Sequence, residues 1–183
     1  NQGIVKGANS IYSKTIALAR MKFPLSVLPL ERIIVELYEH VTMIMIMVIM
    51  LACFGFFPSF SWLNLVYYIF YTIFFFTSLA LITSVLTMLA RDFARMIQSL
   101  IRLLFYLTPI LWDMENMPVL FQKITFYNPI YYVVTGFRDS MLYEIPFWQH
   151  TEQLCSLWCL NGLLFVLGCN LQVKFKDQFI DLI

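Results

Sequence analysis

Charge is what this sequence has least of: Asp, Glu, Lys and Arg together make up 13% of its 183 residues. A soluble domain carries about twice that share, so water is excluded as the main solvent of the fold. No GxxxxGK[ST] phosphate loop occurs, and the chain by itself cannot bind and hydrolyse ATP in the P-loop manner. Histidine is confined to His40 and His150. Two such distant residues define neither a metal-ligand cluster nor a nucleophile–base pair. Cys53, Cys155, Cys159 and Cys169 all fall inside apolar runs. Cys155 and Cys159 share a helix face, but their spacing is no redox or zinc motif, and the four read as small packing residues. A net charge of +1 offers nothing to a nucleic acid. No signal peptide is visible and the chain opens with Asn1, so it reads as a fragment whose start is missing.

What fills the space instead is hydrocarbon: 61% of the residues are hydrophobic and 17% aromatic. Hydropathy predicts four membrane-crossing helices, at residues 29–57, 62–90, 96–112 and 154–173. The apolar part of the first, 41–57, is 17 residues and about 25 Å long. The second has no charged residue and exceeds the roughly 20 residues a span needs, so it tilts or protrudes. The third contains one charge, Arg102. The expected fold class is an all-α polytopic membrane protein.

Lys and Arg placement predicts orientation. Lys6, Lys14, Arg20 and Lys22 precede the first span, Arg91 and Arg95 lie between the second and third, and Lys174 and Lys176 follow the fourth. Between the third and fourth spans there are only Lys123 and Arg138. Both ends of the chain are therefore expected in the cytoplasm, and residues 113–151 outside. Within that outer segment, 118–127 and 129–143 are too apolar for solvated loops and too short to span. Two re-entrant half-helices separated by an Asn128-Pro129 turn satisfy their backbones best. Residues 10–21 predict a short amphipathic helix capped by Asn9 or Ser10, stopped by Phe23-Pro24.

Candidate chemistry lies with charges near the bilayer and with aromatic faces. Arg32, Glu36 and His40 repeat every four residues, either as an ion-pair ladder or as a turn at headgroup level. Gln98, Arg102 and Tyr106 share a face of the third span, with Ser99 beside them. Arg102 either snorkels or presents its planar fork to a phosphate or diphosphate headgroup. Tyr67, Tyr71 and Phe74 share a face of the second span, which serves as a stacking surface for sugar rings or as an interfacial aromatic belt.

Several of these features occur together in one known family. The basic segment ending in Phe23-Pro24 and Leu28-Pro29 resembles the cytoplasmic stretch of type-2 ABC exporter permeases. So do Arg91-Asp92-Phe93, Thr108-Pro109-Ile110-Leu111-Trp112, Asn128-Pro129 and Gly136-Phe137-Arg138, in that order, across essentially the whole chain. Within the family, the run from Arg91 through Gln98-Ser99 and Arg102 to Asp113 is most similar to the teichoic acid export permeases of Gram-positive bacteria. The tail Val173-Lys174-Phe175 and Phe179-Ile180-Asp181 adds to that likeness.

The resemblance implies the C-terminal part of a six-span subunit that dimerises and pairs with two ATPase subunits. ATP and Mg would sit on those partners, and no cofactor or metal on this chain. It implies a coupling helix at 10–21, with Ser10, Ile11, Tyr12 and Lys14 toward the ATPase. The cargo would be wall teichoic acid on a polyprenyl diphosphate, attracted by Arg91 and Arg95 and shielded partway in by Arg102. An O-antigen or capsule exporter is the nearest alternative, a drug exporter of the same fold the next. A membrane-embedded glycan-modifying enzyme would need clustered acids, and Asp113, Glu115, Asp139 and Glu144 are spread out.

Overall fold

The computed structural model describes residues 2–13, 26–109 and 117–181, and all its regular structure there is helical. In chain order the helices are α1 (Gln2–Ala8), α2 (Ser10–Ser13), α3 (Val27–Cys53), α4 (Asn64–Leu89), α5 (Asp92–Leu107), α6 (Val119–Phe126), α7 (Pro129–Arg138) and α8 (Thr151–Asp181). A 3-10 turn at Phe60–Leu63 leads into α4, a π turn at Asp139–Tyr143 extends α7, and a second 3-10 turn at Phe147–His150 precedes α8. Among the described residues three stretches are long and apolar enough to cross a membrane: Val27–Cys53, Phe60–Leu89 and Thr151–Phe175. The chain is an all-α polytopic membrane protein.

Helix ends differ from the hydropathy bounds for local reasons. The first long helix stops at Cys53, not Phe57, because Gly55 takes a left-handed φ of 88°. Phe56 N–H then bonds Leu51 O at 3.0 Å and Gly55 N–H bonds Ala52 O at 3.1 Å, closing the last carbonyls. Its start moves back to Val27, since Pro29 sits in the first turn, where no N–H is needed. The third helix begins at Asp92 rather than Met96. Asp92 suits a first turn, and only Ala90-Arg91 separates it from α4. Arg95, expected in a loop, is therefore helical. The 16 residues of α5 extend about 24 Å, and the expected continuation through Trp112 lies outside the described residues. The last helix starts at Thr151 and runs unbroken past Val173 to Asp181.

The chain divides into two compact units, one of Asn1–Glu39, Ile73–Leu103 and Asn161–Ile183, the other of His40–Thr72 and Leu104–Leu160. In the first, α1 packs antiparallel on the start of α3, with Gly3 against Ile33 and Glu36. On α4 a Cβ at Gly7 would lie 2.8 Å from that of Ala80, so only glycine permits this approach. Between helices surrounded by lipid, close backbone packing replaces the hydrophobic drive available in water. Ile4 and Ala8 meet Ile97 and Ile101 of α5, and Ile11 meets Leu28 and Val85.

Within the same unit α4 and α8 run in one direction. Phe74 stacks on Phe165 at 5.0 Å, Leu81 packs on Gly168, and Gln172 Nε2 donates to Leu81 O at 3.1 Å and Ser84 Oγ at 3.0 Å. The second and fourth predicted spans are thus parallel there, as their order requires. Two α4 hydroxyls bond back to the helix's own carbonyls: Ser78 donates to Phe74 O at 2.8 Å and Thr83 to Leu79 O at 2.8 Å. Half of the most apolar stretch of α4 is buried, against 6% of that of α3. An evenly apolar helix such as α4 belongs inside a bundle.

In the second unit, α7 packs on the first half of α4. Asn128 caps α7 by accepting from Ile130 N–H at 2.9 Å, and Pro129 holds the first helical position. A Cβ at Gly136 would overlap the Tyr68 ring, so α7 lies directly on that ring.

Candidate functional site

Helix α5 is strongly two-sided. Ile97 and Ile101 are buried, while Gln98, Ser99 and Arg102 are exposed on the opposite face. A helix places residues three and four apart on one side, so this split follows from the sequence itself. Arg95 pairs with Asp92 at 2.9 Å, but both side chains are more than 80% exposed (82% and 81%). Such a surface pair is worth ~0–1 kcal/mol and yields readily to a competing anion. Ser99 Oγ donates back to Arg95 O at 3.1 Å. Arg102 forms no ion pair among the described residues and is exposed. Tyr106, further along the helix, is 71% exposed.

Arg91 lies over the Tyr12 ring, 4.7 Å from its centroid. At this distance the guanidinium is attracted by the face of the ring. The expected ATPase-facing set separates here. Tyr12 is partly exposed, but Ser10 and Ile11 are buried at 1% and 0%. Ile11 is consumed by the Leu28–Val85 cluster, and Ser10 Oγ donates to Gly7 O at 2.6 Å. Ser10 and Ile11 thus hold the chain's own core together and present no docking face. Asn9 does not cap a following helix either: its side-chain amide donates to Val5 O at 2.9 Å, closing the end of α1. Lys14 and the rest of 14–21 lie outside the described residues.

The Arg32–Glu36–His40 ladder does not form. Glu36 instead pairs with Lys6 at 2.6 Å, across from α3 to α1. The Glu36 hydrogen bond raises the Lys6 pKa above its ordinary value. His40, on its own, meets the Phe137 ring edge-on at 5.9 Å. Sequence spacing on one helix could not show a partner 30 positions away on another.

The aromatic face of α4 is turned inward. Tyr71 is 0% and Tyr68 2% exposed. The Tyr132 ring meets Tyr68 edge-on at 5.4 Å and Tyr71 at 5.3 Å. Trp158 meets Tyr71 at 5.4 Å from another side. Tyr71 has no face left for a sugar, which corrects its expected stacking role. Tyr67 is half-buried; its hydroxyl accepts from Trp158 Nε1 at 2.7 Å and lies 3.1 Å from the Tyr132 hydroxyl. Tyr132 and Trp158 were visible in the sequence only as two aromatics among many, on segments far from α4.

The cations are distributed unevenly. Among the described side chains Lys6, Arg32, Arg91, Arg95, Arg102 and Lys174 fall in the first unit, and Lys123 and Arg138 in the second. Among the described residues no group of His, Cys, Asp or Glu is placed to hold a metal. What the site presents is a row of polar and cationic groups on an otherwise greasy helix, suited to holding an anion without covalent chemistry.

Comparison with known proteins places the chain in a family. The ABC-2 type transporter family matches residues 17–142. Two curated proteins of Klebsiella pneumoniae, each named O-antigen export system permease protein RfbA, are 27% and 26% identical over 179 residues. The alignment covers 96% of this chain and 68% of each relative. With the family match extending over more than half its length, the chain belongs to the ABC-2 type transporter family.

Proposed function

We propose that this chain is the membrane subunit of an ATP-driven exporter that moves a lipid-linked polysaccharide outward across the cell membrane. The supporting observation is the exposed polar and cationic face of α5, Gln98, Ser99 and Arg102, on a family member whose relatives are named as O-antigen permeases. Two such subunits would pair, and a separate ATPase would supply the energy. Residues 10–21 would lie at the ATPase, with Tyr12 and Lys14 as the contact side chains. Helices α6 and α7 would dip into the outer leaflet as re-entrant segments.

The cargo reading follows from charge. A polyprenyl diphosphate needs cations along its route, and Arg91 and Arg95 would gather it at the inner surface. Arg102, one helical stretch deeper, would accept the diphosphate with its planar fork. An O-antigen-type glycan is favoured by the relatives' names; the motif run from Arg91 to Asp113 favours wall teichoic acid. Both share the diphosphate and differ only in the polymer behind it.

The test is transport by Arg102→Ala and Arg102→Lys variants with ATPase activity followed in parallel. Alanine should lower glycan export at least ten-fold while ATP hydrolysis continues, with lysine intermediate, consistent with ~1.4 kcal/mol or more per lost charged contact. Normal export by the alanine variant removes the headgroup role. Orientation has its own test. In intact cells a membrane-impermeant maleimide should label a cysteine placed at Val119 and spare one placed at Lys174, and the reverse pattern inverts the topology.

A further inference from the structure

The pair α6–α7 is joined to its surroundings by side-chain hydrogen bonds. At its junction, Asn128 Nδ2 donates to Thr108 Oγ1 at 3.2 Å. Gln153 Nε2, at the start of α8, donates to Phe126 O at 2.6 Å, taking up a carbonyl at the end of α6. Beyond α7, Ser61 Oγ donates to Glu144 O at 3.1 Å, tying the following turn to the start of α4. In the middle of α7 stands Tyr132, 2% exposed, its ring held edge-on by Tyr68 and Tyr71.

Tyr67 is where these ties converge. Its hydroxyl receives the Trp158 indole N–H from α8 at 2.7 Å and exchanges a hydrogen bond with Tyr132 of α7 at 3.1 Å. Its ring stacks on Phe147, 4.3 Å between centroids and 17° from parallel, in the turn before α8. One phenol on α4 thus touches α7, α8 and their connection. In a weakly polar setting a broken bond of this kind is not replaced by water, so the arrangement has one favourable state and few near it.

We propose that Tyr67 is a positioning residue that fastens α6–α7 to the neighbouring parts of α4 and α8, so that these segments move as one body. Opening of a transport path must then occur at other contacts, because the short pair is carried with the helices and does not swing on its own. The inference concerns mechanics and rests on the exporter reading only for the choice of states to compare.

Pulsed electron spin resonance decides it. Spin labels go on Val66→Cys of α4 and Leu120→Cys of α6, positions 66% and 72% exposed. The native cysteines are replaced by serine and the permease is held in lipid nanodiscs. With Tyr67 present, one narrow distance is expected, unmoved between nucleotide-free and ATP-bound assembled exporter. Tyr67→Phe and Tyr132→Phe should each broaden it or add a second distance, whereas Tyr143→Phe, at an exposed ring, should leave it alone. A Tyr67→Phe distribution equal to the parent's overturns the proposal. So does a parent distance that shifts on ATP binding. The phenylalanine comparison needs no nucleotide, so it reads out even if the exporter assignment fails.

Discussion

At the scale of single residues, small side chains decide how near two helices come. Gly136 faces the Tyr68 ring so closely that any Cβ overlaps it, and that ring is confined by Tyr67, Tyr132 and Phe137. Gly136→Ala should therefore cost about 1–3 kcal/mol, the usual range for overpacking. A thermal melt in detergent should show a clearly lower midpoint, and an unchanged midpoint would mean the ring has room to move. Gly7 against Ala80 follows the same logic in the other unit. In the sequence the Gly136-Phe137-Arg138 run was legible as a family feature, but not as a contact. Nothing local says which ring a glycine will face. Lys6 and Glu36 make the same point for charge: both were counted, and neither could be paired, because the partner belongs to another helix.

At the scale of elements, hydropathy and turn chemistry located the helices well and their ends less so. The break at Asn128-Pro129 is local chemistry, an Asx cap followed by proline, and it falls where the sequence put it. The end of α3 at Cys53 depends on Gly55 turning left-handed, while the apolar run continues through Phe54, Phe56 and Phe57. Hydropathy follows the grease and the backbone follows the glycine. The polar face of α5 was legible, Gln98 and Arg102 with Ser99 beside them, since periodicity within one helix needs no knowledge of its neighbours; the burial of Ile97 and Ile101 is seen only in the structure. Tyr67 and Tyr71 were also grouped correctly on one face, but whether that face looks in or out is a tertiary fact. The parallel course of α4 and α8 carries its own prediction. Gln172→Leu deletes two interhelical hydrogen bonds, to Leu81 O and Ser84 Oγ. At ~0.6 kcal/mol for an average bond of this kind, the loss should be about 1 kcal/mol in a denaturant titration in mixed micelles. A loss of 3 kcal/mol or more would mean that the amide holds the register of the pair by itself.

At the scale of the whole molecule, composition carried the class and resemblance carried the family. A chain 61% hydrophobic with a P-loop nowhere in it reads as a membrane partner to some other source of energy. The ABC-2 match over residues 17–142 agrees with the membrane-transporter part of that reading. Cargo is the part least written into the fold, since the proposed diphosphate contacts, Arg91, Arg95 and Arg102, would serve whatever polymer follows it. The most direct measurement reconstitutes the exporter in proteoliposomes with fluorescent polyprenyl-diphosphate-linked glycan in the ATP-accessible leaflet. Addition of ATP should move the label into the protected leaflet, and Arg102→Ala should slow that movement while hydrolysis persists. ATP hydrolysis with no transfer of any diphosphate-linked glycan would contradict the account.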